Sequence, residues 1–302
     1  MNIIKSLWTN AHILLLLTTL MWAGHAIVLK LSINEISPFL LTTLRWFGCT
    51  LFLFFLIRKN LKKDFYFLNK NFLWLFIMGS IFLSGFTICL IIGAYNTSAI
   101  NMGINQSFIP AIVVLFGWIV FKKKINAIQV FGLILSVFGV ILLTIKGSLL
   151  NIRGMDLNFG DLIMLLGCCF YAFYTLGLSQ NKTVSPLVLF FFFSVFASIS
   201  MIFFLIFEVI SGNLILPNFK SFMILIYIII FPTVLAQIFF IKGVNLLGAN
   251  LAGLYVNLVP IFTALLAIII LDENVYSFHF ISLFLVLLGI YLSQKFEKNI
   301  KK

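Results

Sequence analysis

The chain has 302 residues, 63% of them hydrophobic and only 9% charged, against about 25% charged in a soluble globular domain. Its formal net charge of +12 does not indicate nucleic-acid binding, because the basic residues fall between apolar runs instead of forming one soluble face. Cys49, Cys89, Cys168 and Cys169 lie inside apolar runs without C-x-x-C spacing, which argues against a disulfide framework or a cysteine metal site.

Backbone groups in lipid must be bonded internally, and apolar runs this long without strict alternation exclude a barrel. From Asn71 to Phe121 no charged residue occurs over 51 positions, so two spans of roughly 20 residues must fit there. Taken in order, the runs predict ten helices near 11–30, 38–57, 72–92, 98–120, 126–146, 160–179, 186–208, 221–241, 249–271 and 277–295. Lys5 before the first run imitates a signal peptide. The run continues past Trp22 to Leu29 with no small-residue cleavage motif, so it reads as a retained first helix. Pro38 and Pro186 open helices 2 and 7, where a missing N–H costs least, and each follows a serine (Ser37, Ser185).

That serine–proline pair belongs to a longer repeat. Gly93, Ala99, Gly103, Pro110 and Gly139 recur 150 residues on as Gly243, Ala249, Gly253, Pro260 and Gly289. The chain therefore divides into two five-helix copies, 1–150 and 151–302, and an odd helix number per copy turns the second upside down relative to the first. The acidic Asp272-Glu273-Asn274 after helix 9, where the first copy has Lys122-Lys123-Lys124, fits that inversion. Fifteen Lys and Arg flank the side shared with the N-terminus and four flank the other, which predicts cytoplasmic N- and C-termini. The expected fold is an all-α polytopic membrane protein of ten transmembrane helices, built as two inverted five-helix repeats in a cell membrane (the inner membrane in a bacterium).

Several polar and aromatic residues inside the spans are candidates for a solute site between the halves. On helix 4, Ser98, Asn101 and Asn105 share a face beside Gln106, and Pro110 allows a kink. Asn250 and Asn257 repeat the theme on helix 9, before Pro260. Such amides either line a cavity or bond across packed helices. Trp22 and His25 share a stripe of helix 1 with Thr18, and Tyr171 and Tyr174 one of helix 6 with Gly167. These rings can hold apolar or cationic parts of a solute, and His25 is either a proton carrier or a neutral core histidine. On helix 8, Thr233 and Gln237 share a face. Arg45, a cation inside helix 2, either meets a solute carboxylate or holds helix 2 in place; the structural role is the expected one, and Pro110 and Pro260 are the expected hinges. Gly132, Ser136 and Gly139 on helix 5, with Ser282 and Gly289 on helix 10, form small-residue faces for scaffold packing or for contact between two copies in a homodimer. No Asp or Glu lies mid-span, and the residues suggest no metal or cofactor.

Trp22-Ala23-Gly24, Ser37-Pro38 with Leu44-Arg45-Trp46, the segment Ala94 to Pro110, Gly248-Ala249 through Asn257-Leu258-Val259-Pro260, and Leu271-Asp272-Glu273-Asn274 together resemble the EamA-type members of the drug/metabolite transporter superfamily. The chain departs from the family's pattern in having Lys123 at a common Glu position and Phe170-Tyr171 where a Trp is frequent. The resemblance implies a secondary transporter of a small organic metabolite. Our expectation is an alternating-access carrier for an amino acid or related polar or zwitterionic compound, with its site lined by helices 1, 4, 6 and 9. An intramembrane enzyme acting on lipid would need clustered acids, histidines or a metal set, which the chain lacks; a channel or a non-transporting scaffold is the other alternative.

Overall fold

The computed structural model describes residues 8–58, 61–96, 105–120, 122, 126–145, 159–180, 184–271 and 276–300. Among them run α1 (Ala11–Leu31), α2 (Pro38–Ile57), α3 (Tyr66–Asn96), α4 (Asn105–Ile119), α5 (Ala127–Leu142), α6 (Phe159–Leu178), α7 (Pro186–Ile210), α8 (Phe219–Leu247), α9 (Ala249–Leu266) and α10 (Ser277–Ser293). Seven of these helices are long and apolar enough to cross a membrane, while α4, α5 and α10 are shorter apolar helices within the described residues. No strand occurs among the described residues, so the all-α class holds. The expected start of helix 4, with Ser98, Asn101 and Gly103, lies outside the described residues. So do the boundary near residue 150, Lys123, Lys124 and Asp272-Glu273-Asn274.

The helix starts follow from local chemistry. Asn10 caps α1 by accepting from the backbone N–H groups of His12 and Ile13. Ser37 and Ser185 are extended, and the prolines after them open α2 and α7. Asn218 and Ser221 close a reciprocal capping box on α8. Gly248, at φ 90°, is the single residue between α8 and α9, a backbone state that a side chain would strain. Large apolar side chains such as Phe47, Leu73, Trp118, Phe203 and Phe284 lie exposed on the outside, a surface suited to lipid.

The main contacts between helices obey one exchange rule, recurring when each helix is replaced by the one five places along. Thus α1 packs on α8 as α6 packs on α3, α1 on α9 as α6 on α4, and α2 on α8 as α7 on α3; the pairs α2–α7, α4–α9 and α5–α10 map onto themselves. The repeated glycines explain the close approaches. A Cβ at Gly93 on α3 would lie 2.5 Å from the Met164 side chain on α6, and one at Gly243 on α8 would lie 2.6 Å from Leu15 on α1. Where α5 meets α10, a Cβ at Gly132 would sit 2.6 Å from the Gly289 carbonyl, and one at Gly289 would strike the Gly132 carbonyl. The small-residue faces of helices 5 and 10 therefore meet each other within one chain.

Two features escaped the sequence reading. Both α3 and α8 change to π geometry midway, over Ile77–Leu83 and Ile229–Leu235, and the second stretch contains Pro232. A π turn widens the helix and leaves carbonyls available to neighbouring helices. The linker between α1 and α2 also touches the linker between α7 and α8: Ser37 N–H donates to the Ile215 carbonyl at 3.1 Å.

Candidate functional site

The π stretch of α8 organises the centre. Thr18 of α1 donates to the Ala236 carbonyl at 3.2 Å, and Trp22 Nε1 donates to the Pro232 carbonyl at 3.2 Å. Arg45 Nε of α2 donates to Thr233 Oγ1 at 2.6 Å. Thr18 and Trp22, from one stripe of helix 1, and Arg45 of helix 2 thus converge on this irregular stretch and the residue after it.

Around it the aromatic candidates form one cluster. The Tyr171 ring of α6 lies 5.7 Å edge-on from Trp22, 4.7 Å from Phe86 of α3, 5.6 Å from Tyr174 and 5.7 Å from Phe240 of α8. Tyr174 donates to Gln237 Oε1 at 3.4 Å. The buried Tyr171 hydroxyl makes no hydrogen bond, although the Gln237 amide stands beside it. Trp22, Tyr171, Tyr174 and Gln237 are therefore brought together, on α1, α6 and α8, with α3 as the fourth wall. The cluster presents ring faces, a buried hydroxyl without a partner and an amide, which suits a solute with both apolar and polar parts.

Next to this cluster His25, Thr42, Arg45 and Thr87 share a pocket with Leu29, Leu41, Leu90, Ile91 and Ile228; its cavity volume is about 10 Å³, room for about one water. Arg45 is 8% and His25 7% exposed. The Arg45 guanidinium lies 5.2 Å from the centre of the Trp46 ring, and His25 Nε2 has no hydrogen-bond partner.

The amides on α4 and α9 join helices. Asn257 Nδ2 donates to Ser136 Oγ of α5 at 2.8 Å, and Asn105 Nδ2 donates to Asp161 Oδ1 at 3.3 Å in the first turn of α6. Asn101 lies outside the described residues. Pro110 follows a turn at Phe108, and Pro260 follows a 3₁₀ stretch over Tyr255–Asn257, so both stand where a helix resumes after an irregularity. Asp161 and Glu208 were passed over in the sequence because they stand near helix ends, yet both are buried. Glu208 of α7 accepts from the N–H groups of Phe39 at 3.1 Å and Leu40 at 2.8 Å, capping α2 from another helix. Its signal was an acid 22 residues into a predicted span that opens at Pro186.

The halves are also tied near both ends of α1. In the linker after it, Glu35 accepts from Lys220 at 2.7 Å and from Asn218 at 2.6 Å. Those two bonds hold the Glu35 carboxyl below the usual carboxylate range, the Lys220 bond contributing most. At its start, His12 Nδ1 lies 2.6 Å from the Tyr255 hydroxyl of α9. Among the described residues no group of three His, Cys, Asp or Glu is placed to hold a metal ion.

With this geometry in view, comparison with known proteins is specific. The sequence model of the EamA-like transporter family matches twice, over residues 9–145 and 158–294. An uncharacterized transporter of Archaeoglobus fulgidus is 28% identical over 302 residues, covering 94% of this chain and 97% of that protein. The uncharacterized transporter YetK of Bacillus subtilis is 25% identical over 283 residues, covering 89% of this chain and 82% of that protein. One solved crystal structure shares the fold with a TM-score of 0.75 at 15% identity, spanning 97% of this chain and 99% of that one. The chain belongs to the EamA-like transporter family, within the drug/metabolite transporter superfamily.

Proposed function

We propose that the protein is a ten-span alternating-access carrier for a small organic metabolite, an amino acid or a related polar or zwitterionic compound. The observation that carries the reading is the exchange rule: two halves that pack by swapping equivalent helices converge on the Trp22–Tyr171–Tyr174–Gln237 cluster. Inverted halves around a mid-membrane site can swap conformations and so swap the side to which that site opens. Contact between the α1–α2 and α7–α8 linkers supports inversion, because the second is the counterpart of the α2–α3 linker, at the other end of α2. The ties near both ends of α1 suit a carrier whose site is closed to both sides. A channel needs no such paired closure. The charge count supports cytoplasmic termini.

Purified protein in proteoliposomes, offered amino acids, nucleosides and sugars in turn, should take up one class saturably and show counterflow when preloaded. Folded protein that moves none of them would overturn the reading, and uptake without counterflow would indicate a pore.

A further inference from the structure

We propose that the pocket between α1, α2, α3 and α8, which as it stands has room for about one water, widens to receive a carboxylate with Arg45 as its anchor, so that the solute is a small carboxylate with a short apolar body. The inference rests on the carrier reading for its solute but on the pocket alone for its chemistry.

Arg45 carries five N–H donors, of which Nε is used on Thr233. Among the described residues no carboxylate pairs with it, and the one ion pair is Lys220–Glu35, at the end of the bundle. A cation this deeply buried is costly in hydrocarbon unless something neutralises it. The Trp46 ring face supplies part of that compensation. The remaining donors are matched by a planar anion with two acceptor oxygens, the geometry a guanidinium fork binds best. Beside it, His25 Nε2 is buried and unpartnered, a second polar group aimed at nothing the protein supplies. The hydroxyls of Thr42 and Thr87 donate to their own helices, at Pro38 and Phe39 and at Leu83, so they offer the pocket lone pairs only. The rest of the wall is leucine and isoleucine. One cation, one imidazole and aliphatic walls fit a monoanion with a hydrocarbon body better than a phosphate.

The repeat provides an internal control. At the 148-residue offset of Ser37-Pro38 and Ser185-Pro186, the counterpart of Arg45 is Phe193 and that of His25 is Phe173. Phe193 is fully buried, packed on Trp74 and Tyr174, while Phe173 stacks on Phe82 and packs on Phe116. The same fold position thus accepts an apolar ring, and nothing in the architecture requires a charge there. The charge is confined to the copy that has the pocket.

The test uses the full-length purified protein and two isosteric probes, isovalerate and its neutral amide, isovaleramide, read by ligand-dependent thermal stability. Isovalerate should stabilise the protein saturably and isovaleramide should not. Arg45→Gln should weaken isovalerate binding by about 10- to 100-fold, the loss of a charge-assisted pair. Should Arg45→Gln fail to fold, Leu90→Trp decides, since it fills the pocket and leaves Arg45 in place; it should abolish the isovalerate response. Equal responses to acid and amide, a response to inorganic phosphate as strong as that to isovalerate, or an isovalerate response surviving Leu90→Trp would each overturn the inference. Because binding is read without transport, these failures are distinct from failure of the carrier reading, which shows as absence of uptake.

Discussion

The two tyrosines of α6 stand less than a turn apart in one cluster, yet removing their hydroxyls should act in opposite directions. Tyr171 makes four ring contacts through its edges and faces, and its hydroxyl is buried with no hydrogen bond. Burying a hydroxyl without a partner costs about 1–3 kcal/mol by protein mutational measures. Tyr171→Phe keeps the ring and removes that cost, so the folded protein should gain about 1 kcal/mol or more. Tyr174→Phe removes the bond to Gln237 Oε1, at a lengthy 3.4 Å, and leaves the buried amide oxygen alone, so it should lose about 0.5–1.5 kcal/mol. Transition temperatures compared at one scan rate in one detergent read the sign without requiring reversibility.

Stability gained at Tyr171 should come with function lost. If the hydroxyl is held open for a solute, Tyr171→Phe removes one hydrogen bond to it, and half-saturation for uptake should rise by about 2- to 10-fold. A natural residue that lowers stability and serves transport is the expected signature of a binding position. A Tyr171→Phe protein that melts lower than the wild type, or that transports unchanged, would refute the reasoning and make the hydroxyl an element of the fold.

Three further outcomes follow from the geometry. Gly289→Ala should be less stable than Gly253→Ala by about 1–3 kcal/mol in thermal unfolding, because both gain similar helix propensity but only the first pushes a Cβ into facing backbone, whereas the second meets Val113 at 3.6 Å. Glu208→Gln should lower stability by about 1.5–3 kcal/mol in the same assay, since it takes the charge from the two bonds that cap α2. Glu35 has its carboxyl pKa lowered by Lys220 and Asn218, so its tie is intact above the ordinary carboxylate pKa and is lost as pH falls through the lowered value. Glu35→Gln should flatten stability against pH in that acid window alone, and an unchanged profile would show that the tie does not bear on stability.

The fold was more legible than the site, and the reason is what periodicity reports. Pro38 and Pro186 marked helix starts because a missing N–H has a place only there. Gly132 and Gly289 marked close approach because a side chain at each would enter a neighbour, and Gly93 and Gly243, which the sequence offered only as repeat markers, stand at close approaches of the same kind. Asn105 and Asn257 were harder: spacing gives the face of a helix, and only packing decides whether that face meets a cavity or, as here, Asp161 and Ser136. Pro232 was invisible for a related reason. Its sequence signal equals that of any mid-span proline, and its importance comes from the π turn whose carbonyl it presents to Trp22. Helical residues precede the expected start of helix 3, but the backbone leaves helical geometry at Asn71 (φ −120°, ψ 20°), so the start expected near residue 72 coincides with a kink just after Lys70.

A duplicated fold separates what the architecture needs from what has been added to it. Where both copies carry equivalent chemistry, the position serves the frame. Asn105 and Tyr255 stand 150 residues apart, and each reaches from its helix to the start of the helix that it packs on, Asn105 to Asp161 of α6 and Tyr255 to His12 of α1. In the inverted arrangement proposed above, those two contacts would sit toward opposite membrane faces. Where the copies differ, the frame cannot be the cause. Tyr171 and Tyr174 have Ala23 and Ala26 as their 148-residue counterparts, and Arg45 has Phe193. The two rings of one copy meet Gln237 and Phe240 of α8, and the cation of the other meets Thr233 in the π stretch just before them, a stretch whose geometry is shared by α3 although its Pro232 and Thr233 are not. A symmetric motion can therefore act on an asymmetric site, because the motion depends on what the copies share and the selectivity on what they do not.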